Sequence, residues 1–353
     1  MDLQLQPFST INLADPFFDS LKAAYPEFSD WYGRKAREGA QAYVFYFDSG
    51  RVADFLYMKI ETEAITDVTP ILPAKRRLKV GTFKLLSRGT RRGERFMKKI
   101  MDKAIAEDVD EIYVTIFPTD DLITLIHQFG RFGFNHLADK PHADGTSEWV
   151  MVKNMRETIG KVIEDFPFVQ SAGRRKWLLS IKPEYHTALF PDSILKNESY
   201  DVVQDVTHTN GIYKIYISWA ADCNQLMRGD LIVIYRMKDD QGPAKYRSVA
   251  SSLCTVLEVK KWGDFKTEEE FLKYTQYSVF EKKDLKYWFQ YKRNFVVIKM
   301  LYNVAFTKRV IRQDLIDLAG LDSCQRWTIM KLTDVQYRRI IELGKADERY
   351  FID

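Results

Sequence analysis

Residues 78–106, LKVGTFKLLSRGTRRGERFMKKIMDKAIA, admit few folds. Leu78 to Leu86 carries Val80, Thr82 and Phe83 with only partial alternation, which predicts a strand in apolar contact on both faces. Ser87 to Glu94 holds Gly89 and Gly93 among Arg88, Arg91 and Arg92, and predicts a tight basic turn. Phe96, Ile100, Met101, Ala104 and Ile105 then share one stripe at helical spacing, with Lys98, Lys99 and Lys103 on or near the opposite face. The first amides of a helix have no intrahelical partner, and the helix dipole is positive there. Glycine lets a phosphate come close to such a backbone. A strand, a glycine turn and a helix in this order therefore make an anion site. An ordinary βα turn with a solvated basic edge has the same spacing.

The flanking order narrows the choice. Residues 14–38 read as two short helices separated by Pro26, the first N-capped by Asp15 with Pro16 at its first position. Phe17, Leu21 and Tyr25 form one stripe and Phe28, Trp31 and Tyr32 another, as core packing requires. Strands are expected at Ala42 to Phe47 and Val52 to Glu61, joined by the turn Asp48-Ser49-Gly50. After the central helix come a strand from Glu111 to Phe117, a helix from Asp121 to Phe129, Gly133-Phe134, and a strand near Glu148 to Val152.

Arg88-Gly89-Thr90-Arg91-Arg92-Gly93 resembles motif A of the GNAT superfamily of N-acetyltransferases, Arg/Gln-x-x-Gly-x-Gly/Ala, with Arg91 standing at the first motif glycine. Gly133-Phe134 resembles the Gly-Phe that follows the last helix of that fold, and the order of elements over about 150 residues is similar. The resemblance implies acetyl-CoA as cofactor, its pyrophosphate on Arg88, Gly89, Thr90, Arg91, Arg92, Gly93 and Glu94. It implies that the strand at Phe83, Lys84 and Leu85 splays from its neighbour to pair with the pantetheine arm. It also implies that the first two helices wall the acceptor site.

Attack of an amine on a thioester needs a base for the nitrogen and a proton donor for the thiolate. The resembled family often supplies the donor from a Tyr four residues before the Gly of Gly-Phe. Phe129 holds that position here. Glu61 is the candidate base, Tyr113 the candidate orienting group or donor, and His127 a further candidate two residues before Phe129. Each has a plain structural alternative: a strand-end carboxylate, a packed ring, a surface histidine.

The second half reads as many strands with inserted helices, which predicts a small β-barrel. A helix is expected from Met155 to Asp165, within a helical linker over 156–176 that ends in Ser-Ala-Gly-Arg-Arg-Lys. Strands follow at Lys176 to Ile181, Ile212 to Trp219, Asp230 to Met237, Ser248 to Val259, Phe295 to Phe306 and Trp327 to Lys331. Helices are expected after Lys182-Pro183 and near Glu268 to Tyr274, Lys282 to Tyr291 and Asp334 to Leu343, the last capped by Thr333. Ser180 to Tyr185, Arg228 to Tyr235 and Ser251 to Val256 resemble the ASCH branch of the PUA-like superfamily, although the Gly and Arg of that branch's Gly-x-Lys-x-x-Glu-x-Arg run are missing from Phe190 to Glu198. The resemblance implies RNA, tRNA or a modified nucleotide as partner, read by stacking and phosphate contacts. The candidates are Lys182, Trp219, Tyr235, Arg236, Arg247, Ser252 and Arg326.

The expected class is α+β in two domains: a GNAT-like mixed sheet flanked by helices over 1–155, and a PUA-like barrel over 177–353. Residues 1–155 carry a net charge of −1 and the remainder +5, which permits nucleic-acid contact without demanding it. The three cysteines, Cys223, Cys254 and Cys324, lack disulfide or metal spacing and are expected as buried or neutral thiols, with no metal site. MDLQLQPFST lacks the pattern of a secretion signal and no apolar run approaches ~20 residues, so a cytoplasmic protein with no membrane span is expected. The function expected is acetyl-CoA-dependent N-acetyl transfer, to RNA, charged tRNA or a nucleobase-linked amine. The alternatives are a non-catalytic CoA-binding, nucleic-acid-reading module and a protein-lysine or small-amine acetyltransferase.

Overall fold

The computed structural model describes residues 3–86, 91–190 and 211–352. The chain divides into two compact units, Met1–Ile159 and Gly160–Asp353. Each is mixed α/β, with one sheet that holds both parallel and antiparallel neighbours.

In the first unit the elements are β1 (Gln4–Pro7), α1 (Asp19–Ala24), α2 (Phe28–Arg37), β2 (Gln41–Tyr46), β3 (Val52–Glu61), β4 (Arg77–Leu85), α3 (Arg92–Ala106), β5 (Glu111–Ile116), α4 (Ile123–Arg131), β6 (Asn135–Pro141) and β7 (Ser147–Asn154). The sheet order is β1-β2-β3-β4-β5-β7-β6. Only β4 and β5 run parallel. Parallel neighbours need a crossover, and α3 supplies it. Asp15 does two jobs before α1: one oxygen accepts from the Phe17 amide at 2.8 Å, the other from the Val52 amide at 3.0 Å. That cap fixes the aromatic segment onto β3. One face of the sheet then packs Phe55 and Tyr57 against Phe8 and Phe18. The other packs Phe83 against Phe96 of α3 and Phe129 of α4.

Two irregularities meet in β4. Tyr57 pairs with Thr82 and Met58 with Val80, so Gly81 is an extra residue with no partner on β3. A Cβ at Gly81 would lie 2.8 Å from the Tyr57 ring, so this bulge takes a residue without a side chain. The β4–β5 pairing ends at Val80 and Val114. From Gly81 to Leu85, β4 keeps β3 on one side only, while β5 continues along β7 to Ile116. The strands part where the bulge sits.

The second unit contains β8 (Lys176–Ile181), α5 (Pro183–Leu189), β9 (Tyr213–Ser218), β10 (Leu231–Arg236), α6 (Ala244–Arg247), β11 (Val249–Lys261), α7 (Glu268–Thr275), α8 (Lys282–Tyr291), β12 (Val296–Ile311), α9 (Arg312–Asp317), β13 (Ile329–Leu332) and α10 (Asp334–Leu343). Its core joins Trp177, Ile232, Cys254, Ile298 and Tyr302 of the sheet to Phe271 of α7 and Leu285 of α8. The barrel expectation needs correcting. The sheet runs β13-β8-β10-β11-β12-β9, and among the described residues its two edge strands do not pair. β13 is a four-residue strand bonded to β8 alone, and β9 is bonded to β12 alone. The helix expected over Met155 to Asp165 is not formed. Met155 is held to Asp110 O at 2.8 Å, Arg156 is paired with Asp108 and Asp110, and Gly160 takes φ +80, which ends any helix. Cys223 and Cys254 are buried, whereas Cys324 is exposed. No helix among the described residues is long and apolar enough to cross a membrane.

Candidate active site

The N-terminus of α3 and the parted strand lie at one end of the candidate site. Arg88, Gly89 and Thr90 lie outside the described residues. Arg91 caps α3, whose first intrahelical bond runs from the Arg95 amide to Arg91 O at 3.1 Å. The residues from Arg92 to Glu94 thus form the first turn of α3, ahead of its first intrahelical bond. Gly93 is closely lined: a Cβ there would lie 2.9 Å from the Gln128 amide nitrogen and 3.2 Å from a Leu85 methyl. A larger residue would have to displace them. The Leu86 amide donates to Ala53 O at 3.0 Å, so by alternation the amides of Phe83 and Leu85 face the side that β5 has left.

Side chains along the expected cofactor stretch have partners within the unit. Arg92 reaches back to Asp54, which is wholly buried, at 3.0 Å. Its guanidinium is thus engaged in an ion pair with β3. Glu94 lies 3.5 Å from Arg91. The Lys84 ammonium is bonded to Phe17 O and to Ser20 Oγ and rests over the Phe17 ring. Phe83 packs between Phe96 and Phe129.

One rung before the strands part, Lys79 and Tyr113 stand opposite each other, with Lys59 beyond Lys79 on β3. They line an open cleft of about 470 Å³ that the loop after β3 also borders. Tyr113 donates to Glu61, which also takes Lys59, with Lys79 3.9 Å away. Burial pushes the Glu61 carboxyl up, but the hydrogen bonds from Lys59 and Tyr113 and the charge of Lys79 outweigh it, leaving it below its ordinary value. Tyr113 moves the other way: burial and the Glu61 carboxylate hold its phenol well above the usual tyrosine range. The Lys79 ammonium is pushed down by burial, against the pull of Glu61. Lys140, also on the wall, pairs with Asp67 at 2.8 Å. The structure thus brings Glu61 and Tyr113 together and adds three lysines that periodicity did not single out. The missed signal was the mid-strand Gly81, which marks a bulge.

His127 does not join them: it is exposed on α4. Phe129 is buried against Phe83 and Phe134, a packing ring with no proton to give.

The nucleotide-reading candidates of the second unit fall into two groups. Tyr235, Arg236 and Ser252 are buried and offer no stacking or phosphate surface. Tyr235 packs edge-on to Trp327, and Arg236 lies 3.6 Å from Asp239. Arg247 is forked onto Asp239, Nε at 2.8 Å, and holds that carboxyl down to about 2. Lys182, Trp219 and Arg326 are exposed, with Lys182 3.9 Å from Glu184 and Trp219 edge-on to Trp288.

No family model matches the chain, and no curated protein matches it. Solved structures do. A chain of the NatC complex bound to Gag peptide and CoA is 14% identical over 44% of this chain and 99% of its own, with a TM-score of 0.30. Naa20 of Chaetomium thermophilum, in complex with a bisubstrate analogue, is 15% identical over 47% and 88%, at 0.31. The ASCH protein of Zymomonas mobilis is 9% identical over 48% and 94%, at 0.32. Each spans less than half of this chain.

Proposed function

We propose that the first unit is an acetyl-CoA-dependent N-acetyltransferase acting on a primary amine held in the cleft below the parting of β4 and β5. The observation that carries this reading is a coincidence on one strand. The bulge at Gly81, the loss of β5 as a partner, and a helix N-terminus with a closely lined glycine all lie along β4 and its exit. An extended ligand with amide groups would take the outward amides of Phe83 and Leu85, and its diphosphate would lie at the N-terminus of α3 beside Gly93. When bound, acetyl-CoA supplies the activated acetyl group. Tyr113 and Glu61 would position the amine, Glu61 as an ionised carboxylate that favours an ammonium. A primary amine is the acceptor class that would suit these groups. Choice of an RNA or tRNA acceptor by the second unit would fall to Lys182, Trp219 and Arg326.

Phe129 favours a second reading, a module that binds CoA without turnover, because the usual hydroxyl donor is replaced by a buried ring. One experiment addresses both. Acetyl-CoA at about 100 times its Kd should add ~2.7 kcal/mol to folding and raise the melting temperature. Gly93→Glu should abolish the shift, provided that its own unliganded melt shows a folded chain. Protection without release of CoA thiol on any amine would select the second reading. Absence of any shift in the wild type would overturn the first and second alike.

A further inference from the structure

Lys59 on β3 and Lys79 on β4 are direct cross-strand partners. Like charges placed opposite each other repel and cost stability. One carboxylate, Glu61, faces both, and it does not serve them equally. Lys59 is bonded to Glu61 Oε1, whereas Lys79 Nζ stays 3.9 Å from that oxygen, beyond hydrogen-bond reach. The other oxygen, Oε2, accepts from Tyr113. Lys140, the third lysine of the cleft, is met by Asp67 at 2.8 Å. Lys79 rests over the Tyr113 ring, 5.3 Å from its centroid, and lines the cleft with Tyr113 and Glu61. Its side chain is 24% exposed. Burial works against its charge first; Glu61 favours that charge, and Lys59 and Lys140 oppose it. An ammonium so placed is short of an anion.

The spacing says what kind of anion fits. Each carboxylate oxygen has two lone pairs, so Lys59 and Tyr113 leave Glu61 able to accept from a ligand ammonium. A ligand that bonds Glu61 through nitrogen and Lys79 through oxygen, each at about 2.8 Å, has to bridge two atoms 3.9 Å apart. An amine and a carboxylate on one carbon match that gap. An acid at the far end of a longer chain reaches Lys79 only if the chain folds back on itself.

We propose that the acceptor is a free α-amino acid, its ammonium on Glu61 and Tyr113 and its carboxylate on Lys79. The inference deepens the acetyl-transfer reading and rests on it. The ammonium gives one proton to solvent, and the amine attacks the thioester carbonyl; the C–N bond forms and the C–S bond breaks. The second nitrogen proton goes to the departing sulfur, giving an N-acetyl amino acid and CoA thiol. Peptide N-termini, amino-acid amides and aminoacyl esters present the amine without the acid and leave Lys79 unmatched.

The test uses the full chain and the standard amino acids, each beside its own amide, which keeps the amine and the side chain and removes the acid. Two readouts are taken: the melting shift in the presence of CoA, which needs no turnover, and thiol release from acetyl-CoA. The amide has the less basic nitrogen, so chemistry alone would favour it. The wild type should nonetheless prefer its best free acid over the matching amide by about 10–100-fold in kcat/KM, the range of one hydrogen bond to a charged group. The same acid should raise the melting temperature more than its amide does. In Lys79→Met the acid-to-amide ratio should fall to near one, and Lys79→Arg should keep part of it. Equal responses to acid and amide in the wild type, none at all included, would overturn the proposal without recourse to any variant. So would a ratio that survives in a folded Lys79→Met. An acid-selective melting shift with no thiol release keeps the amino-acid site and overturns the acetyl-transfer reading alone.

Discussion

Arg92 begins α3, yet its guanidinium turns back 38 residues to Asp54 on β3, at 3.0 Å. Removing it takes one cation away from a buried carboxylate. Arg92→Ala is expected to lose about 3–5 kcal/mol in urea unfolding; a loss below ~1 kcal/mol would show that the pair is dispensable. The sequence invites the phosphate reading because an arginine beside a glycine at a helix start looks like an anion ligand. Its real partner becomes visible only once β3 and β4 are in register. His186, on α5, makes a second point at this scale. It is wholly buried, its Nε2 is 2.7 Å from Ser251 Oγ, and its Nδ1 has no hydrogen-bond partner. Burial, with the charges of Arg236 and Arg309, pushes its pKa down to about 3 from 6.5. The unfolded chain therefore takes up this proton first, and the stability that neutral His186 allows is complete above pH 6.5 and is lost as pH falls towards 3. Over that window the imidazole adds a slope of about 1.4 kcal/mol per pH unit. His186→Gln should flatten the measured dependence of unfolding free energy between pH 6.5 and 4 relative to wild type; identical slopes would refute it.

At the scale of elements, Gly81 is the residue on which the parted sheet depends. Alanine there would bring a Cβ to 2.8 Å from the Tyr57 ring, which is itself wedged against Phe8 and Trp31. Gly81→Ala is expected to cost ~1–3 kcal/mol through overpacking. The cost should shrink in a Tyr57→Leu background, a coupling that a double-mutant cycle in urea would read. Additive effects would mean that the ring moves freely. The strand, the turn and α3 were legible because apolar spacing changes period from two to 3.6 within a few residues. β1 and β6 were not: they are short or largely exposed edge strands, Gln4–Pro7 and Asn135–Pro141, without an apolar stripe. The false helix after Met155 came from a helical pattern that Gly160 and the Arg156 ion pairs override. Glu61 and Tyr113 were legible as candidates from their positions on strands, but Lys79 was not. Its place between Lys59 and Tyr113 exists only once β3, β4 and β5 are in register, and no linear spacing encodes it.

On the scale of the whole molecule, the strand count of the second half was legible but its closure was not. Closure depends on whether the first and last strands of a sheet meet, which hydrophobic pattern does not specify. The two-part organisation has a firmer physical basis, because three apolar clusters among the described residues each draw on one unit alone. Phe8, Phe18, Phe55 and Tyr57 form one cluster and Val68, Tyr113 and Val152 another, while the cluster around Trp177, Ile232 and Tyr302 draws only on the second unit. A segment with its own core and its own complete sheet can fold alone. Residues 1–159 expressed alone should therefore give a cooperative thermal transition. Because the parted strand and the α3 N-terminus both lie inside it, the fragment should keep an acetyl-CoA shift comparable to that of the full chain. Residues 160–353 should melt cooperatively without any response to acetyl-CoA. A first fragment that is folded but indifferent to acetyl-CoA, beside a full chain that responds, would place the cofactor outside the parted strands and move the search for its site to the second unit.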